Sequence, residues 1–70
     1  MTIKEVFNNC TAAQRSKIIG GIMLKGAAYA TAFAWASGDR QPKSWAKPMV
    51  IEIINAETGG KYTESELWPD

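Results

Sequence analysis

Gly26-Ala27-Ala28-Tyr29-Ala30-Thr31-Ala32-Phe33-Ala34-Trp35-Ala36-Ser37-Gly38-Asp39-Arg40-Gln41-Pro42 decides how this chain folds. A glycine opens the stretch, and glycine enters a left-handed turn without a Cβ penalty. Eleven residues free of Gly and Pro follow, six of them alanine, the strongest helix former. Gly38 then stops the run, and Pro42 punctuates the loop beyond it. The spacing predicts a turn at Gly26 and a helix over residues 27–37, with Ala32 and Trp35 turned inward. A tight Gly turn feeding a short, slim helix is the second half of a helix-turn-helix pattern. Slimness matters because such a helix must enter a major groove about 12 Å wide.

Upstream, Thr2 with Glu5 three residues later forms a capping-box pattern, and Ile3, Val6 and Phe7 give an apolar stripe at helical spacing. Asn8-Asn9-Cys10-Thr11 interrupts it. Thr11 with Gln14 repeats the box and predicts a helix from about Ala12 to Leu24, with Ile18, Ile19, Ile22 and Met23 on its buried side. Gly20-Gly21 weakens that helix by about 1 kcal/mol per glycine relative to alanine. Close approach of another helix is the simplest compensation, and a bend or break is the alternative.

Downstream, Trp45 is expected to fold back over the small core. Met49 to Glu57 is ambiguous between helix and strand. Pro48 at a first helical position and Gly59-Gly60 past the end favour helix, while four β-branched residues favour strand. Helix is the reading adopted here, with a hairpin pairing 49–55 against 61–67 as the alternative. Thr63 with Glu66 starts a last short turn before Leu67 and Trp68.

Seventy residues allow one domain, spanning 1–70, with one small core. One cysteine and no histidine leave no intramolecular disulfide, no ordinary zinc set and no usual neutral-pH general base. No enzyme, metal site or cofactor is therefore expected, and the lone thiol suits a reducing cytosol. Charge is unevenly placed. Residues 1–47 hold seven Lys or Arg against two carboxylates, whereas residues 48–70 hold one against five. A basic front and an acidic tail suit a protein that grips phosphate with one face.

On that reading Lys17, Lys25, Arg40 and Lys43 are the candidate phosphate anchors. Ala28, Tyr29 and Phe33 begin the groove-facing side. Alanines, Thr31 and Phe33 suit thymine methyls, and Tyr29 offers a hydroxyl. Phe33 is equally suited to a place in the core or in a contact between copies. No Asn, Gln or Arg stands on this side, so modest direct readout is expected, with shape and phosphate contacts carrying more. Leu67, Trp68 and the Met49–Ile54 face are candidates for a dimer contact.

Gly26, the string Trp35-Ala36-Ser37-Gly38-Asp39-Arg40-Gln41-Pro42, and the ending Ala56-Glu57-Thr58-Gly59-Gly60-Lys61-Tyr62-Thr63…Glu66-Leu67-Trp68-Pro69-Asp70 together resemble the Cro/YdaS-like regulators of phages and prophages. The likeness covers roughly residues 14–70, and the C-terminal string is its most specific part. It implies an all-α, Cro/lambda-repressor-like domain of four to five helices, or an α+β Cro with a C-terminal hairpin. It further implies a dimeric repressor on palindromic operator DNA, working in the cytoplasm of a bacterial host. Three departures stand out. The third helix offers mainly alanine with Tyr29, Thr31 and Phe33 where the family usually carries Gln, Ser, Asn or Arg. Gly20-Gly21 falls where the family usually places good helix formers, and Trp68 stands where it often has arginine.

Two other classes fit parts of the chain. An antirepressor-type module binding another phage regulator suits the apolar third helix. A small membrane-active phage protein suits the nearly uncharged run from Ile18 to Ala36, although Lys25 lies within it.

Overall fold

Three Thr-x-x-Glu/Gln boxes start three of the five helices in the computed structural model, which describes residues 1–69. Helix α1 (Ile3–Asn9) begins where the Thr2 backbone N–H donates to Glu5 Oε1 at 2.8 Å, and the Glu5 N–H donates back to Thr2 Oγ1. The Thr2 backbone N–H, helped by its hydroxyl, holds the Glu5 carboxyl below the ordinary carboxylate range. This cap is therefore complete at neutral pH and weakens as acid protonates Glu5. Helix α2 (Ala12–Leu24) starts the same way, with Thr11 N–H donating to Gln14 Oε1 at 2.8 Å and Gln14 N–H to Thr11 Oγ1 at 3.1 Å. At α5 (Glu64–Leu67), Thr63 N–H donates to Glu66 Oε1 at 3.1 Å.

The other two helices are set by Pro and Gly. Helix α3 (Tyr29–Ser37) lies between Gly26, at φ +108°, and Gly38, at φ +88°. Its first helical residue is Tyr29; Ala27 precedes the helix and Ala28 is its cap. Helix α4 (Lys47–Thr58) carries Pro48 in its first turn and ends at Gly59. Residues 49–57 are thus helix. Among the described residues there is no strand, which overturns the hairpin alternative.

Helix α2 packs against both α3 and α4, α1 packs against α3 and α5, and α5 closes on α4. Ile18 and Ile22 from α2 meet Val50 and Ile54 from α4 and Leu67 from α5 in the fully buried centre. Burying each such side chain contributes about 1.5–3 kcal/mol. Ala32 and Ala36 are completely buried, and their small side chains let α3 sit close to its neighbours.

The glycine pair on α2 has two different environments, and the helix runs through both without a break. A Cβ on Gly21 would stand 3.1 Å from Ile53 Cγ2, so this is the close approach of α2 to α4. A Cβ on Gly20 would meet nothing within 4 Å. Gly20→Ala is therefore expected to raise stability by about 0.5–1 kcal/mol. Urea unfolding checks this through a higher midpoint at unchanged slope.

Several expected placements are corrected. Met23 is 41% exposed rather than buried, because it stands at the edge of the arc that Ile18, Ile19 and Ile22 turn inward. Trp45 is 72% exposed, and its ring meets Trp35 edge-on at 6.3 Å between ring centroids. The covering role falls to Trp68, which is buried beneath Lys47, whose Nζ lies 5.6 Å from the ring centroid. Leu67 and Trp68 are thus core residues of one chain, removed from the candidate dimer contact. Val50 and Ile54 are buried as well, and Met49, Ile51 and Ile53 pack against the core.

The Thr58-Gly59-Gly60-Lys61-Tyr62-Thr63 string is the return from α4 to α5. The Asn55 side chain binds the Tyr62 backbone twice, donating to its carbonyl at 3.1 Å and accepting from its N–H at 2.9 Å. Thr58 donates its hydroxyl to Ile54 O and accepts from Gly60 N–H. The apolar run from Ile18 to Ala36 is divided between α2 and α3 by the turn at 25–28. Among the described residues no helix is long and apolar enough to cross a membrane.

Candidate nucleic-acid interface

Helix α3 is the one described helix without a Lys, Arg, Asp or Glu. Ala32, Trp35 and Ala36 face the core as the spacing requires, which leaves Tyr29, Ala30 and Phe33 exposed and Thr31, Ala34 and Ser37 partly so. The outward surface is uncharged, and its side-chain hydrogen-bonding groups are the hydroxyls of Tyr29, Thr31 and Ser37.

Its aromatic side is held in place. Phe33 is 38% exposed, and its ring meets Phe7 of α1 edge-on at 6.1 Å between centroids. Tyr29, 59% exposed, lies 6.1 Å beyond Phe33 at a tilt of 33°. Arg15 anchors the inner end of this row. Its guanidinium carbon stands 5.4 Å from the Phe7 centroid, Nε donates to Phe7 O at 2.9 Å, and a terminal nitrogen donates to Asn8 O at 2.8 Å. Arg15 thereby satisfies carbonyls at the end of α1 and favourably offsets its dipole. Phe33 is thus partly covered, by Phe7 and Tyr29, and partly open to solvent.

Cations stand at both ends of α3. Lys25 is the exposed C-cap of α2, four residues before Tyr29. Ala28, at the α3 cap, is exposed beside Tyr29. Beyond the helix, Arg40 and Lys43 are exposed on the following loop, and the Arg40 backbone N–H donates to Ala34 O at 3.2 Å. Lys17 stands apart on the outer face of α2, about 12 Å along the axis from Lys25 at 1.5 Å per residue.

Two further cations are redistributed by the fold. The backbone and Cβ of Lys4 lie against Gly38, so the exposed Lys4 side chain starts from α1 beside the end of α3. The only sequence signal for this was that α1 must pack somewhere. Lys47, counted with the basic front, instead faces Glu64 at 4.0 Å and covers Trp68. The carboxylates of Glu52, Glu57, Glu64 and Glu66 belong to α4 and α5, whereas Asp39 follows the end of α3 and Glu5 stands next to Lys4 on α1. Arg15 was missed because nothing local distinguishes it from any exposed arginine on a helix.

Away from α3, a shallow cleft of about 180 Å³ is lined by Met1, Val6, Asn9, Cys10, Gln14, Thr58 and Tyr62. Burial pushes the Cys10 thiol above its ordinary range, which keeps it a poor nucleophile. Among the described residues no three His, Cys, Asp or Glu side chains come together in a way that could hold a metal ion. Compared with protein-family models, curated proteins and solved structures, the chain has no significant match.

Proposed function

We propose that this chain is a Cro/YdaS-like helix-turn-helix repressor of phage or prophage type, which seats α3 in the major groove of operator DNA. One observation carries the reading: α3 follows α2 through a four-residue glycine turn and presents an uncharged outer face between Lys25 on one side and Arg40 and Lys43, with Asp39 beside them, on the other. A duplex presents the complementary pattern, with an uncharged groove floor between two phosphate ridges.

The repressor acts as a dimer in the bacterial cytoplasm. Two α3 helices about 34 Å apart occupy successive major grooves of a palindromic site. A body measuring 26 × 25 × 19 Å suits that spacing when two copies stand side by side. With Leu67 and Trp68 committed to the core, the large apolar side chains left exposed outside α3 are Met1, Met23, Leu24 and Trp45. Bound at an operator overlapping a promoter, the dimer blocks polymerase access.

The exposed rings of Tyr29 and Phe33 favour one alternative, an antirepressor-type module whose α3 face binds another regulator. Selection from a random duplex pool, followed by footprinting, separates the two. The repressor reading expects enrichment of two inverted half-sites centred about 10 base pairs apart. A pool that stays unenriched, with no footprint on any duplex, would favour the protein partner.

A further inference from the structure

Resting on that DNA-binding reading, we infer that α3 reads thymine methyl groups, so that its operator half-site is a duplex rich in A·T pairs. In the major groove the thymine C5 methyl is the one alkyl group, and the hydrogen-bond donors and acceptors of the bases stand beside it. To those polar features the α3 face offers only the single hydroxyls of Tyr29, Thr31 and Ser37. Its exposed positions are Tyr29, Ala30, Phe33 and, partly, Thr31, Ala34 and Ser37, with no Asn, Gln, Arg or Lys to pair bidentately with guanine or adenine. Pressing such a face onto either kind of base pair strips water from three polar groups, and only the A·T pair adds a methyl whose burial offsets that cost. Pressing it onto methyls removes apolar surface from water on both sides.

The aromatic row makes this a fixed surface. Phe33 is braced edge-on by Phe7, and Phe7 lies under the guanidinium of Arg15, which is itself held by two backbone carbonyls. Tyr29 extends the row outward from Phe33. Rings held in position before contact lose little freedom on binding. Ala30 and Ala34, one turn apart beside the rings, leave room for the groove floor to approach. The flanking cations fix the depth of α3 through phosphate contacts and carry no sequence information. Selectivity therefore falls to the methyl contacts.

The test uses the full chain and duplexes enriched from a random pool. Each is synthesised with thymine and again with uracil, which pairs identically and lacks the methyl. Uracil at one contacted position is expected to weaken binding about fourfold, and full replacement across both half-sites by tenfold or more, with the salt dependence unchanged. Tyr29→Ala, at an exposed position, is expected to stay folded and to shrink the thymine-to-uracil ratio. Equal binding of thymine and uracil duplexes, with steep salt dependence retained, would overturn the methyl reading and leave the DNA-binding reading standing. Absence of binding to any duplex at low salt would overturn both.

Discussion

Gly38→Ala is expected to cost about 2–5 kcal/mol, a large part of the roughly 4–10 kcal/mol available to a domain of this size. Two terms contribute. Gly38 sits at φ +88°, where an L-residue pays about 1–2 kcal/mol. A Cβ there would also stand 3.1 Å from Lys4 Cβ, 3.2 Å from the Lys4 backbone nitrogen and 3.3 Å from Ile3 Cγ2. Backbone of α1 cannot swing aside as a flexible side chain can, so the whole start of α1 must shift, at about 1–3 kcal/mol by analogy with overpacked cores. Gly26→Ala supplies the comparison: its φ is +108° but a Cβ would meet nothing within 4 Å, so only the first term applies. Thermal unfolding should show a fall of about 10–25 °C for Gly38→Ala and a clearly smaller one for Gly26→Ala. Equal falls would mean that α1 does not approach the end of α3 this closely.

The second large effect concerns the cations. Reversing Lys25 and Arg40 together, as Lys25→Glu with Arg40→Glu, is expected to reduce duplex affinity about a hundredfold near 0.1 M salt and to lower the salt slope by about two. Both side chains are exposed, so the fold should tolerate the change within about 0.5 kcal/mol. Lys61→Glu, an equally exposed reversal on the return to α5, should leave affinity within about threefold if the basic face is confined to the α3 side. Titration of a fluorescent duplex with each variant checks both expectations. Equal loss from Lys61→Glu would show that binding responds to net charge rather than to this face.

Local devices were legible in the sequence because each is complete within a few residues. The Thr2–Glu5, Thr11–Gln14 and Thr63–Glu66 boxes all start helices, and Gly26 and Gly38 bound α3. The inward turn of Ala32 and Trp35 followed from helical spacing alone. Pro48 and Gly59 outweighed the β-branched residues between them because Ile and Val are only weakly disfavoured in helices, and Val50 and Ile54 are buried there.

What was not legible depended on which helix meets which. Trp45 and Trp68 look equally fit to cover a core, and only the packing of α5 on α1 and α4 selects Trp68. Lys4 and Lys47 exchange roles for the same reason: α1 carries Lys4 to the end of α3, and α5 carries Glu64 to Lys47. Arg15 joins the candidate interface through Phe7, eight residues away in sequence. The Gly20-Gly21 pair was half legible, since the close approach expected of it exists at Gly21 alone.

Duplex affinity measured across a salt series tests the central claim most directly, using mixed-sequence DNA and a selected site side by side. The account predicts tight binding at low salt, a log–log slope of about −4 or steeper from four or more phosphate contacts, and preference for the selected site. Weak binding with a flat salt response on both duplexes would contradict it, and would make the α3 face a surface for something other than DNA.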